Sequence, residues 1–145
     1  MTRDEADLIV REVSAGWLDD PESTVVWAGS FEGRLGIRMR QECRDATTVW
    51  FKIGERTVGY EAYLLPAPPH NAQEVYRQCL VRNRRSWPAA LCADRRGDLY
   101  ILGRIPLSDL DALRLDEALG AVYQLVELSF RPLIAAGFAQ REKSP

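Results

Sequence analysis

The sequence predicts an α+β fold, an antiparallel sheet with helices packed on it, in the order helix, three strands, helix, two strands, helix. Three features carry this. Apolar residues recur at three- and four-residue steps near both ends of the chain and once in its middle. Between those stretches apolar and polar residues alternate, the period of a strand with one wet face. Short turns join the alternating segments as hairpins.

The first helix is expected from about Thr2 to Leu18. Thr2 and Glu5 fit a capping box, and Ala6, Ile9, Val13 and Trp17 make one apolar face. Asp19-Asp20-Pro21 stops it, since proline has no amide hydrogen and disfavours helix before it. Val25 to Trp27 is a short extended piece. Arg34 to Arg40 alternates, with Leu35, Ile37 and Met39 on one side. Thr47 to Ile53 and Thr57 to Leu65 form a hairpin around Gly54-Glu55-Arg56. Setting Ile53 opposite Val58 also pairs Phe51 with Tyr60 and Val49 with Ala62, and this apolar face is assigned to the core. Thr48, Trp50, Lys52, Glu61 and Tyr63 then fall on the other face.

After Pro66-Ala67-Pro68-Pro69, Asn71 is expected to cap a second helix, with Val75, Tyr76, Cys79 and Leu80 as its buried stripe. Trp87-Pro88 closes it. A second hairpin spans about Ala89 to Leu107, turning at Asp94-Arg95-Arg96-Gly97-Asp98, where Gly97 can take a positive φ. Leu99 to Ile105 is apolar on both faces apart from Arg104, which suits a strand inside the sheet and covered on both sides. Ser108 and Asp111 form a capping pair before the last helix, whose stripe is Leu115, Leu119, Val122, Val126 and Leu133, widened by Phe130. Pro132 is expected to bend or break it. Gly137-Phe138 fits a terminating glycine, and the tail within 138–145 is expected to fray.

The 145 residues make one domain, 1–145, large enough to bury roughly two thirds of its unfolded surface without staples. The charged fraction is 28% and the net charge −2, so global electrostatics favour neither nucleic acid nor an anionic membrane. No apolar run is long enough to span a bilayer, and the acidic N-terminus is unlike a signal peptide, so a cytoplasmic protein is expected. Cys43, Cys79 and Cys92 are odd in number and widely spaced, which fits free thiols rather than a disulfide framework. They and the single histidine, His70, lack the paired spacing of a zinc site, so no metal is expected.

Catalytic chemistry finds little support. His70 lies in a proline-rich turn without an identifiable base, and no cysteine has a nucleophile signature. Gly29, Gly33 and Gly36 do not follow a nucleotide fingerprint and are expected in turns or bulges, so no cofactor is expected. Asp94 and Asp98 lack the further ligands of a calcium loop. Charge is uneven, however. The first 32 residues hold eight acids against two arginines, and Arg77 to Arg104 holds seven arginines against two aspartates. Arg84, Arg85, Arg95 and Arg96 would make a basic patch if they converge, for an acidic protein surface or for phosphates; otherwise they are a solvated helix end and hairpin tip. Trp50 and Tyr63, opposite the core, suit an interface or burial under another element.

Several segments carry a family resemblance: Val75-Tyr76-Arg77, Arg82-Asn83-Arg84-Arg85, Asp94 to Leu107, Leu115 to Gly120, and Gly137-Phe138. In this order they resemble the YbjN family, most of all its actinobacterial members, over about Arg34 to Phe138. The resemblance implies the fold of type III secretion chaperones, small acidic proteins that are generally homodimers and hold an extended partner segment without chemistry. It also implies a loosely defined role in sensory transduction, and it brings no catalytic residues. A shared fold does not by itself establish a shared activity. The function expected is a non-catalytic module for a protein partner, as a homodimer, with no membrane contact and little case for nucleic acid. The partner-binding residues expected are Trp50, Tyr63, Arg82, Arg84 and Arg85. The alternative is a small-molecule sensor with a pocket between sheet and helices.

Overall fold

A computed structural model describes residues 1–139. Helix α1 (Arg3–Asp19) is followed by strands β1 (Val25–Phe31), β2 (Arg34–Arg40), β3 (Ala46–Ile53) and β4 (Thr57–Leu65). Helix α2 (Ala72–Asn83), strands β5 (Ala90–Ala93) and β6 (Leu99–Pro106) and helix α3 (Ala112–Gly137) complete the order. The α+β class stands, and the expected extended piece at Val25 is a full strand. All pairings are antiparallel in the order β1-β2-β3-β4-β6-β5.

The central hairpin has the register that its apolar pattern dictates: Val49 faces Ala62, Phe51 faces Tyr60 and Ile53 faces Val58. A one-residue slip would turn these side chains to water, so burial fixes the pairing. Leu35, Ile37 and Met39 continue the buried face on β2, and Leu99, Ile101 and Ile105 continue it on β6. Helix α3 lies across this face with Leu115, Leu119, Val122, Val126 and Leu133 buried against it. Helix α1 packs beside α3, and α2 packs on α3 and β5.

Local rules were overridden at several places. In α1, Ala6, Val10 and Ser14 are the buried line, while Ile9, Val13 and Trp17 flank it half-buried. Asn71 holds the N-cap position of α2 but makes no side-chain cap bond; its Nδ2 donates to the Ala136 carbonyl at 3.0 Å, tying α2 to the end of α3. Asp111, not Ser108, caps α3, accepting from Arg114 N at 2.8 Å, because Leu107–Asp109 forms a separate 3-10 turn. Leu80 is exposed rather than part of the α2 stripe; Val75 and Cys79 are the buried residues of that helix, and Tyr76 packs half-buried on the core. Helix α3 runs on through Pro132. Gly137 is a close-approach position: an added Cβ would lie 2.6 Å from Val75 and 2.9 Å from Pro68. Phe138 packs half-buried on the core, and the tail from residue 140 lies outside the described residues.

Strand β6 does sit inside the sheet, between β4 and β5. It is covered on one side only. Tyr100 is half-buried and Leu102 is 40% exposed on its other face. Helices α1, α2 and α3 lie on the opposite side, so among the described residues the apolar outer face of β6 belongs to an uncovered surface.

Candidate functional site

The uncovered face of the sheet is the most unusual surface of the molecule. A bulge between Val25 and Trp27 sets up its edge. Val25 pairs with Met39 on the core side, while Trp27 pairs with Arg38 on the outer side. The extra residue, Val26, thus re-aims Trp27 to the open face, a common role of a bulge. Phe31, four pairs further along, points the same way and is 59% exposed. Glu32 and Gly33 close the β1–β2 hairpin with φ of 51° and 75°, the two left-handed positions of a tight turn.

Trp50 projects from β3 at the middle of this face. Its ring meets Trp27 edge-on at 6.4 Å between centroids and Phe31 at 6.4 Å. The guanidinium of Arg34 lies 5.2 Å over the Trp50 ring, and that of Arg38 lies 4.9 Å over Trp27. Gly36 makes room beneath both rings, because a Cβ there would sit 2.8 Å from Trp50 and 3.0 Å from Trp27. Gly29 does the same under Trp27, at 2.4 Å. These two glycines lie within strands, not in turns, and serve close approach of indole to backbone. Two columns over, Tyr63 on β4 meets Tyr100 on β6 at 5.5 Å, also edge-on, and Tyr63 is 46% exposed. Burial first, then the carboxylates of Asp98 and Asp94, push both phenols up, so they stay neutral.

Trp50 and Tyr63 therefore share one surface, as the hairpin register predicts. Trp27, Phe31, Tyr100 and Leu102 belong to the same surface and escaped the sequence reading. The alternation of Trp27, Gly29 and Phe31 was a usable signal, but its phase relative to Val25 depends on a bulge that sequence does not announce.

Arg82, Arg84 and Arg85 lie elsewhere, at the C-terminal end of α2 in the helical layer. With Arg77, Gln78 and Val81 they line an open groove of about 770 Å³. Arg84 and Arg85 are exposed, whereas Arg82 donates to the Leu128 carbonyl of α3 at 3.0 Å. Arg95 and Arg96 do not join them. Their turn docks at the other end of α2, where the Tyr76 hydroxyl donates to the Gly97 carbonyl at 2.8 Å. Leu80, Val81 and Leu128 are exposed near this groove, as is Trp87, which is 89% exposed.

The remaining chemical candidates are absorbed locally. Asp94 accepts from Arg96 N and Asp98 N, and Asp98 accepts from Ala67 N, so both carboxylates serve the turn. Gly97 there has φ 88°. Cys79 is buried, and Cys43 and Cys92 are half-buried; all are free. Burial raises the pKa of each thiol, aided by Glu127 at Cys43 and by Glu61 at Cys92, which is the reverse of nucleophile activation. Among the described residues no cluster of His, Cys, Asp or Glu could hold a metal ion. Among the same residues no helix is long and apolar enough to cross a membrane.

Comparison with known proteins adds a family. Residues 14–135 match the profile of the YbjN family, described as "Putative bacterial sensory transduction regulator". An uncharacterized protein of Mycobacterium leprae is 37% identical over 105 residues, covering 72% of this chain and 57% of its own length. Uncharacterized proteins of Mycobacterium bovis and Mycobacterium tuberculosis are each 40% identical over 86 residues, covering 59% of this chain and 47% of theirs. The chain spans about half the length of the curated relatives it matches.

Proposed function

The chain belongs to the YbjN family, and from that premise we propose that it works as a non-catalytic protein-binding module, chaperone-like or regulatory in sensory transduction. The observation that carries this reading is the uncovered, aromatic face of the sheet. Its rings are held in place by one another, by glycine clearances and by stacked arginines, so they lose little freedom when a partner arrives. Trp and Tyr fixed in this way are typical anchors of a protein interface. The arginine groove is a second contact for acidic groups, through Arg84 and Arg85.

The test is capture from the cytosol of the native organism, with identification of the bound proteins by mass spectrometry. Trp50→Ala with Tyr63→Ala should abolish a specific set of captured proteins, and Arg84→Glu with Arg85→Glu should weaken it. An unchanged set in both variants would refute the reading.

We further propose that the chain forms a homodimer through the apolar residues beside the groove, Leu80, Val81 and Trp87. Light scattering should give twice the chain mass, and Leu80→Glu with Trp87→Ala should halve it. A second reading, a small-molecule sensor, has one observation in its favour. A cleft of about 410 Å³ opens between α1 and the β1–β2 end of the sheet, with Asp4, Asp7 and Arg11 at its rim and Phe51 at its base. A metabolite that raises the melting temperature, and no longer does so in Arg11→Ala, would support it.

A further inference from the structure

We infer that the open face carries a built docking point for a carboxylate, centred on Gly59, and that its occupant is an acidic, amphipathic segment of a protein partner. This rests on reading the open face as a partner surface.

Gly59 lies mid-strand on β4, with Lys52 of β3 and Arg104 of β6 as its direct neighbours in register. A glycine inside a strand forfeits packing, and it often marks a place where something else approaches the backbone. Here, among the described residues, nothing fills that place. A Cβ added at Gly59 would meet nothing within 4 Å, unlike those at Gly29 and Gly36. The gap belongs to a shallow depression of about 590 Å³, which Trp50, Glu61 and Leu102 also line.

Two cationic side chains thus rise on either side of a missing one. Among the described residues neither Lys52 nor Arg104 has an ion-pair or hydrogen-bond partner, and both are exposed. Two carboxylates also line the depression: Glu61, which is already held by Arg34 at 3.1 Å, and Glu32, which stands in the β1–β2 turn rather than beside Gly59 in register. In the adjoining row, Trp50 and Leu102 flank Glu61 and offer apolar surface. A carboxylate over Gly59 would accept from both Lys52 and Arg104, and an apolar side chain of the same segment would rest on Trp50 and Leu102.

Charge selects among occupants. Arg34, Arg38, Arg40, Lys52 and Arg104 share the outer face with Glu61. A second copy laid face to face would oppose like charges, which disfavours self-pairing here. Single-stranded nucleic acid needs free aromatic faces for its bases. Each indole already has one face taken, by Arg34 over Trp50 and by Arg38 over Trp27. An acidic protein segment uses the charge and needs no stacking.

The experiment measures binding of short fluorescent peptides by anisotropy at low salt. One peptide alternates glutamate with leucine; two others carry glutamine or lysine in place of glutamate; a single-stranded oligonucleotide is the fourth probe. The glutamate peptide should bind at least about tenfold more tightly than the glutamine peptide and weaken as salt is added. Gly59→Val should fill the gap and lower its affinity by about tenfold, with no loss of thermal stability, because the position is open and valine suits a strand. Lys52→Ala with Arg104→Ala, at two exposed positions, should do the same by a route independent of the glycine.

Equal affinity for the glutamate and glutamine peptides would overturn the acidic assignment and leave the face as a protein-binding surface. Tighter binding of the oligonucleotide would overturn both. Binding unaffected by the Gly59 and the Lys52/Arg104 changes, or no binding of any probe, would overturn the docking point. Whether the face then binds protein at all is decided separately by the capture with Trp50→Ala and Tyr63→Ala.

Discussion

Two single residues show how burial turns an ordinary side chain into a sensitive one. Tyr60 is in the core, its ring filling the space that a side chain at Gly103 would need; a Cβ there would fall 2.1 Å from the phenol. Its hydroxyl is buried without a hydrogen-bond partner among the described residues. Such a group costs about 1–3 kcal/mol, so Tyr60→Phe should raise stability at neutral pH by about 1 kcal/mol in urea unfolding. Burial, with a smaller contribution from Glu117, pushes the Tyr60 phenol up to about 12. An unfolded tyrosine ionises near pH ~10. Between those limits the folded state holds a proton that the unfolded state has lost, so stability falls as pH rises through the window and is complete below it. Tyr60→Phe should flatten that fall in alkaline unfolding curves. Arg44 is the second case. Its guanidinium donates to Thr47 Oγ1 and to the Leu64 and Tyr63 carbonyls, and it lies 5.2 Å over Phe130. Arg44→Met should cost about 2 kcal/mol, because hydrogen bonds from a charged donor are worth more than neutral ones. The sequence shows that Tyr60 is core; the fate of its hydroxyl depends on atoms far along the chain.

At the scale of elements, helix α3 answers the question posed by its proline. Pro132 has no amide hydrogen, so the carbonyl four residues earlier, Leu128, loses its helical donor. Arg82 of α2 supplies a replacement, at 3.0 Å from that carbonyl. This explains why the helix continues where the sequence predicts a bend or break, and it gives Arg82 a structural task apart from Arg84 and Arg85. Arg82→Met should destabilise the protein by about 1–2 kcal/mol. In a Pro132→Ala background the same change should cost about 1 kcal/mol less, and a double-mutant cycle by denaturant unfolding measures that coupling. Zero coupling would refute the link. Helix α3 also anchors the β2–β3 connection. Glu127 Oε1 accepts from Gln41 Nε2 at 2.7 Å, Glu42 N at 2.7 Å and Cys43 N at 3.2 Å. Burial opposes the charge, but these donors together hold the Glu127 carboxyl below its ordinary range. Its contribution is present above the unfolded carboxylate pKa and is lost as pH falls through the folded value. Glu127→Gln should therefore reduce the acid-side loss of stability.

Across the whole molecule, one face of the sheet is closed by helices and the other is left open, and glycines on the open face divide into two kinds. Gly36 lies under the paired indoles, and Gly59 lies under empty space. Gly36→Ala should displace the rings and cost about 1–3 kcal/mol, with a shift in tryptophan emission. Gly59→Ala should be neutral or stabilising by a few tenths, up to ~1 kcal/mol. Equal costs at the two positions would show that the open face is not organised as described. The face was half legible beforehand. Trp50 and Tyr63 follow from the hairpin register, but Trp27 and Phe31 depend on the bulge, and Tyr100 and Leu102 read as buried because an apolar residue on an uncovered face looks like a core residue in sequence.

By itself the sequence determined the elements, the pairing of β3 with β4 and the side of the sheet that is buried, because these follow from short-range periodicity and from the cost of exposing apolar side chains. Only the tertiary structure decided that the helices gather on one side, that Arg82 serves Leu128, and that Lys52 and Arg104 flank an empty Gly59. Each of these joins residues distant in the chain, and such contacts are set by packing geometry that no local pattern encodes.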